Sequence, residues 1–501
     1  MTMIDRRAMI AASGAALLLP STLLAQDDVP FSWEALVGMA QRLGRTPFVA
    51  TPAYPGAEKV GYDALHQARF RDERTLWGDL PGDVAVRFFP LSGTAPQPVT
   101  IHIVEKGRAR EMRYDPTLFD APAGNAVAAL GADAGFAGFR VMNAARDADW
   151  LAFLGASYFR AAGAQKQYGL SARAIAINTS KGDEEFPRFT RFWLERTAAD
   201  TLTVHALLDG ASITGAFRFV NRFGKNGVTQ DVTAALFPRR AIPELGLMAM
   251  TSMFWYDQAN RTVGTDWRPE IHDSDIMAYR AADGSAHARP LINPKAAHTS
   301  VFAERNPKGF GLIQRDRDFD HYQDDGVFYD RRPSLWATPG SALGTGQVRL
   351  FEFQTDSEYT DNVVCYWTPA AAVRPGKRIN VTYSLNWGST EPAPTPAIAR
   401  VVNIWRGTSS EAGATRLVVD FAGIGASIGA GIAEGTKPDV WAEITDGTLI
   451  KKAGYPVLGQ PGLYRMVLDL RPDGTGPADV RAQLRGKGVA LSETVHYPVG
   501  A

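Results

Sequence analysis

The sequence predicts a mostly β protein built as two sandwiches, one large and one small, and three features of the chain carry that prediction. Short runs that alternate apolar and polar residues recur from about residue 84 to 387, each closed by Gly, Pro, Asn or Asp. The segment GSTEPAPTPA, 388 to 397, mixes prolines with small residues and shows no apolar periodicity, the composition of a stiff linker. Beyond it about seven more runs, among them ARVVNIWRG, TRLVVDFAG and LYRMVLDL, fit into roughly a hundred residues, the size and rhythm of an immunoglobulin-like sandwich.

Taken in order, the first element is MTMIDRRAMIAASGAALLLPSTLLAQ, where Arg6 and Arg7 precede a short apolar run that ends in small residues. This predicts a twin-arginine export signal over 1–25, cut near Ala25, and a periplasmic product. The run is short for a membrane span of about 20 residues and contains Pro20. Next, Ser32 is a good N-cap for WEALVGMAQRLGR, in which Trp33, Leu36, Val37, Ala40 and Leu43 fall on one helical face. The runs VAVRFF (84–89), VTIHIV (99–104), LTVHALL (202–208), VRLFEF (348–353) and INVTYSLNW (379–387) read as strands. Their number and spacing favour a sandwich over a βαβ arrangement. The expected organisation is therefore a signal at 1–25, a large domain at 26–387, a linker at 388–398 and a small sandwich at 399–501.

The 501 residues carry 53 basic and 53 acidic side chains, so no one-signed patch of the kind nucleic-acid binders use is indicated. A neutral ligand suits this balance. The single cysteine, Cys365, allows no intramolecular disulfide and sits among apolar neighbours as a core residue would. The eight histidines form no i, i+4 pair and no zinc spacing, so no metal site and no cofactor are expected. Phosphate loops, dinucleotide fingerprints and nucleophile elbows are missing as well.

Dense polar and aromatic blocks stand out instead: FLGASYFR (153–160), YGLSARAIAI (168–177), EEFPRFTRFW (184–193), RPEIHDSD (268–275), NPKGFGLIQRDRDF (306–319), RRPSLW (331–336) and TDNVVCYW (360–367). Sugar sites use such mixtures, since rings stack on aromatics while Asp, Glu and Arg bond the hydroxyls. Large β domains are rich in aromatics for packing reasons too.

These blocks, with YDALHQARF (62–70) and GFAGFRVMN (135–143), resemble the periplasmic glucan biosynthesis proteins G and D, a family assigned to glycoside hydrolase family 186. The resemblance implies a galactose-mutarotase-like β-sandwich followed by an immunoglobulin-like domain, and internal cleavage of β-1,2-glucan with anomeric inversion. It implies Asp361 as general acid, Asp273 as general base and Tyr329 as a relay between water and base. For the substrate groove the expectation is Tyr158, Arg160, Tyr168, Arg173, Glu184, Glu185, Trp193, Arg315 and Trp336, with about half of them in contact with ligand; His272 and Asp275 are expected to bind sugar or to support the site from behind, and Arg268 to hold the Asp273 loop or to form a structural salt bridge. A membrane glucan synthase is the implied partner, and the family allows a homodimer.

Two other readings stay open: a transglycosylase forming cyclic or branched glucan, and a non-catalytic glucan-binding scaffold. The chain also departs from the family pattern. It has Ala174 and Asn178 in SARAIAIN, Ile276 where a glycine usually follows HDSD, and DGSAHARPL (283–291) without the paired tryptophans usual before RPL. Lost aromatics would remove stacking platforms.

Overall fold

The computed structural model describes residues 28–392, 398–423, 438–474 and 476–500. The export signal read at 1–25 and residues 393–397 of the linker lie outside them.

Two sheets of 16 and 10 strands, both largely antiparallel, face each other and enclose the main core. Strand alternation places one side of each run in that core. In Thr201–Asp209 the residues Leu202, Val204, Ala206 and Leu208 point inward. Across the sandwich Phe139 and Phe153 of the smaller sheet meet Phe192 and Phe219 of the larger, with ring centroids 5.3 and 5.1 Å apart. Cys365 is buried in this core, as expected.

The predicted helix forms over Trp33–Leu43, with the Ser32 hydroxyl accepting from the Ala35 N–H at 3.1 Å. It packs on the outer face of the 16-stranded sheet, where Leu36, Val37 and Ala40 bury Trp193, Leu207 and Ala216 in a separate small core. FLGASYFR forms a hairpin, Asp149–Leu154 and Tyr158–Ala161, with Ser157 in the left-handed region at φ 61°.

The C-terminal segment has a four-stranded sheet, Arg400–Thr408, Thr415–Ala422, Tyr464–Pro472 and Gly447–Pro456. Its facing strands, Thr494–Val499, Ala478–Gly486 and Asp439–Thr445, join the 16-stranded sheet through a parallel pairing of His287 with Thr494 and Ala288 with Val495. The sheet thus runs on across the proline-rich segment. A second core draws Ile276, Ala288, Ile313 and Trp336 together with Val419, Leu468 and Tyr497.

Candidate active site

The outer face of the 10-stranded sheet collects the first group of side chains. In Tyr158–Ala161, Phe159 and Ala161 face the core, which turns Tyr158 and Arg160 outward. Arg173 pairs directly with Tyr158 in the neighbouring strand, so its guanidinium lies 4.9 Å from the Tyr158 ring centre. It also donates to Glu184 at 2.5 Å, and the Thr179 hydroxyl donates to the same carboxylate at 2.8 Å. Next come Leu245–Ser252 and Val363–Pro369, paired Ser252 to Val363, and Asp361 stands at the near end of the latter strand.

Two adjacent residues hold the loops of both candidate catalytic carboxylates. Asn362, fully buried, accepts from the Phe254 N–H at 2.9 Å and donates to the carbonyls of Phe254 and Phe353 at 2.9 and 2.8 Å. The Asp273 N–H donates to the Met253 carbonyl at 2.8 Å. Gln314 adds a third tie, donating to the backbone carbonyls of His272 and Tyr329 at 3.1 Å each. The sequence blocks HDSD, TDNVV and VFYD, far apart in the chain, are therefore fixed to one frame.

Arg332 links them electrostatically. Its guanidinium forms an ion pair with Asp273 and lies 4.1 Å from the Tyr329 ring centre. The Tyr329 hydroxyl donates to Glu358 at 2.5 Å, and Glu358 also accepts from Arg268 at 3.1 Å. Arg268 in turn donates to Asp324 at 2.7 Å. Arg268, Tyr329, Arg332, Glu358 and Tyr359 line a cavity of about 330 Å³.

Asp361 is exposed along the groove while protein atoms flank its carboxyl on most sides. That partial desolvation raises its pKa, and the charge of Asp273 raises it further against Arg160, Arg173 and Arg332, which lower it. Tyr329 is pushed well above the usual phenol range by burial and by its bond to Glu358. Burial pushes Tyr158 up to about 12.

The structure thus brings Asp361, Asp273, Tyr329, Tyr158, Arg160, Arg173, Glu184 and Arg268 into one neighbourhood. Tyr168 lies beside it, lining with Tyr158 and Arg160 an adjoining pocket of about 360 Å³. Six others it places elsewhere or behind the site. Trp193 is stacked 5.1 Å from His102 under the helix, because the outer face of its strand is covered and not solvated. Glu185 is spent on Ser212 and Arg240. Arg315 binds Glu391 and Glu493 at 2.6 and 2.7 Å, and Trp336 is buried in the second core, so both fasten the C-terminal segment. His272 is fully buried behind Asp273 with Glu270 and Gln314. Burial alone would lower its pKa; the hydrogen bond and charge of Glu270 outweigh that and push it up to about 9. Asp275 accepts from the N–H groups of Arg315 and Asp316, and burial raises it to about 6.

The departures from the family pattern also have places. Ile276 is an ordinary buried strand residue, paired with Pro290 and Ile313. The residues just before RPL, Ala286, His287 and Ala288, are buried at the seam with the C-terminal segment and do not face the groove.

Sequence reasoning missed Arg332, Glu358, Gln314 and Asn362, although all lie in or beside the quoted blocks. It also missed the exposed aromatics Phe186, Trp267 and Tyr359; Tyr359 is 91% exposed and Phe186 lies 5.4 Å from the Arg173 guanidinium. A cavity of about 970 Å³ beside Met39, Thr100 and Arg191 contains none of the acid, base or relay residues.

A family model described as periplasmic glucan biosynthesis protein, MdoG, matches residues 31–499. The chain is 40% identical to glucans biosynthesis protein D 2 of Ralstonia nicotianae over 534 residues, covering 99% of this chain and 97% of that one. It is 40% identical to glucans biosynthesis protein D of Xanthomonas campestris pv. campestris over 516 residues, covering 98% and 96%. Among solved structures, the galactose mutarotase related enzyme of Lactobacillus acidophilus aligns with 52% of this chain and 93% of its own at a TM-score of 0.23 and 10% identity, too slight a likeness to bear on function.

Proposed function

This chain belongs to the periplasmic glucan biosynthesis protein family of the MdoG type, and from that premise we propose that it is a glycoside hydrolase that cuts β-1,2-glucan internally with inversion. Asp361 is the acid: its carboxyl protonates the glycosidic oxygen as the bond to the anomeric carbon breaks. A water attacks from the opposite face and gives a proton to the Tyr329 oxygen, while the phenol's own proton swings away from Glu358 and passes to Asp273. The Tyr329 hydroxyl already donates to Glu358, which leaves its oxygen lone pairs to accept from that water. Arg332 holds Asp273 in place through their ion pair. Tyr158, Arg160, Arg173 and Glu184 bind glucose units beside Asp361, with Phe186, Trp267 and Tyr359 as surfaces on which sugar rings stack.

The observation that carries this reading is the contrast between the two carboxyls: Asp361 is open to the groove and biased toward its protonated form, whereas Asp273 is buried in an ion pair with Arg332. One acid and one base are what inversion requires. The test is incubation of the mature protein with linear β-1,2-glucan, following new reducing ends and the anomer first released. Hydrolysis predicts new ends of inverted configuration that disappear in Asp361→Asn and Asp273→Asn. Redistributed or cyclic products without new ends would mean transfer, and binding without any product would mean a scaffold.

A further inference from the structure

The helix Trp33–Leu43 lies on the outer face of the 16-stranded sheet and covers only part of it. At the helix's N-terminal end a pocket of about 330 Å³ opens, lined by Phe31, Trp33, Glu195, Thr203, His205 and Arg218 among others. Strand register gathers these side chains: Glu195 pairs with Thr203 and Arg218 with His205, so the four stand on one face while Leu202, Val204 and Phe219 fill the core behind. The candidate active site lies on the outer face of the other sheet, with the main core between the two.

Several polar groups of this lining have no partner. His205 is 5% exposed, and neither ring nitrogen has a hydrogen-bond partner among the described residues; Nδ1 is fully buried. Burial and then the Arg218 charge lower its pKa to about 4, so the ring is neutral at pH 7, with one nitrogen to donate and one to accept. Arg218 Nε is also buried without a partner, and its Nη2 reaches only Thr233, at 3.4 Å. Glu195, in the same lining, has no ion pair and no side-chain hydrogen bond among the described residues. Unpartnered buried polar groups are costly, and several around one opening mark a place where a ligand completes the bonding.

A ligand for this lining must satisfy a carboxylate, a guanidinium and a neutral imidazole together, and Glu195 and Arg218 offset each other's charge. Hydroxyl groups do this, because each both donates and accepts. The Trp33 ring lies 5.5 Å from the Arg218 guanidinium and 6.2 Å from the His205 ring, with Phe31 5.0 Å from the same imidazole, which supplies an apolar surface for the C–H face of a pyranose. The volume is at the small end of the range of about 300 to 1,000 Å³ usual for small-molecule sites. We propose that this pocket is a second saccharide site, which holds a glucose unit of a glucan chain on the side of the molecule opposite the groove. It makes and breaks no bond; it keeps polymer attached while the groove acts. Only the choice of glucan as its ligand rests on the proposed function.

The test is calorimetry with a linear β-1,2-linked glucose tetrasaccharide on full-length Asp361→Asn, which binds without cutting. Two binding events per chain are expected, one of them lost or weakened about tenfold or more when Arg218→Gln or Glu195→Gln is added. Glu195→Gln breaks no bond within the protein, and near-ultraviolet circular dichroism checks the packing of Arg218→Gln. In the parent background each substitution should leave the release of new reducing ends from the tetrasaccharide unchanged, so failure of the pocket and failure of the hydrolase reading appear in separate readouts. Absence of binding, or binding that neither substitution alters, would overturn the site.

Discussion

The Tyr329 hydroxyl donates to Glu358 Oε2 at 2.5 Å, and the same carboxylate accepts from Arg268 at 3.1 Å. A phenol held in this way has its oxygen fixed and its lone pairs free to accept from water, and it relays to Asp273 once its own proton leaves Glu358. Tyr329→Phe keeps the ring under Arg332 and removes only the hydroxyl. On linear β-1,2-glucan, kcat should fall by about 10²-fold or more, the scale of a lost acid–base step, with KM nearly unchanged. Glu358→Gln, which keeps an acceptor, should fall less. A parallel rise in KM for Tyr329→Phe would assign the residue to binding instead.

Asp361 predicts opposite changes in activity and stability. Its carboxyl is raised above the ordinary 3.8 by desolvation and then by Asp273. The folded state therefore holds a proton that the unfolded chain has already released, and the fold loses stability as pH rises above 3.8. Asp361→Asn should abolish hydrolysis and melt higher than the parent at pH 7, with the gain vanishing below about pH 4. Melting curves of both proteins across that range decide it; an equal gain at every pH would mean that packing, not charge, is responsible.

Much of this arrangement was readable along the chain, and the misses share a cause. Alternation in 202–208 and 379–387 marks strands because one face must be apolar. It does not say what lies over the other face. Trp193 was placed in the groove on its aromatic character, yet its outer face is roofed by the helix Trp33–Leu43. Arg315 and Trp336 misled in a related way: their partners, Glu493 and Tyr497 among them, come from a segment more than 150 residues later whose strands complete the same sheet. Glu358 and Arg332 sit in loops with no periodicity to mark them, and only the fold shows that one accepts from Tyr329 while the other pairs with Asp273.

Asn362 ties the acid's loop to the strand that also anchors the base. Removing its amide leaves the Phe254 N–H and the carbonyls of Phe254 and Phe353 unpaired in a buried site. Asn362→Ala should cost about 2 to 4 kcal/mol in denaturant unfolding, and hydrolysis should fall further than the folded fraction explains. Asn362→Asp, which sets a carboxylate oxygen against the carbonyls of Phe254 and Phe353 in a buried site, should cost at least as much.

The seam between the large sandwich and the C-terminal segment carries its own pH dependence. His287 Nδ1 and His496 Nε2 are 3.0 Å apart, His287 buried and His496 half-buried, with Tyr279 stacked 4.3 Å from His287 and Ser285 on its other nitrogen. Burial lowers His287 to about 4 and His496 to about 3, and each of Arg481, for both, and Arg289, for His496, adds to the effect against the weaker pull of Asp283 and Glu493 on His287. The unfolded chain takes up protons near 6.5, whereas the folded pair resists until about pH 4. Stability is complete above 6.5 and is lost as pH falls through that window. Thermal melts from pH 7.5 to 4.5 should show a falling midpoint, and hydrogen exchange should rise first in 286–290 and 494–499, where the parallel pairing holds the two parts together. His496→Phe puts an apolar ring beside His287, Tyr279 and Phe302 and removes one of the two titrating groups. It should flatten the acid limb of the melting profile by about half, and an unaltered limb would place the acid sensitivity elsewhere in the molecule.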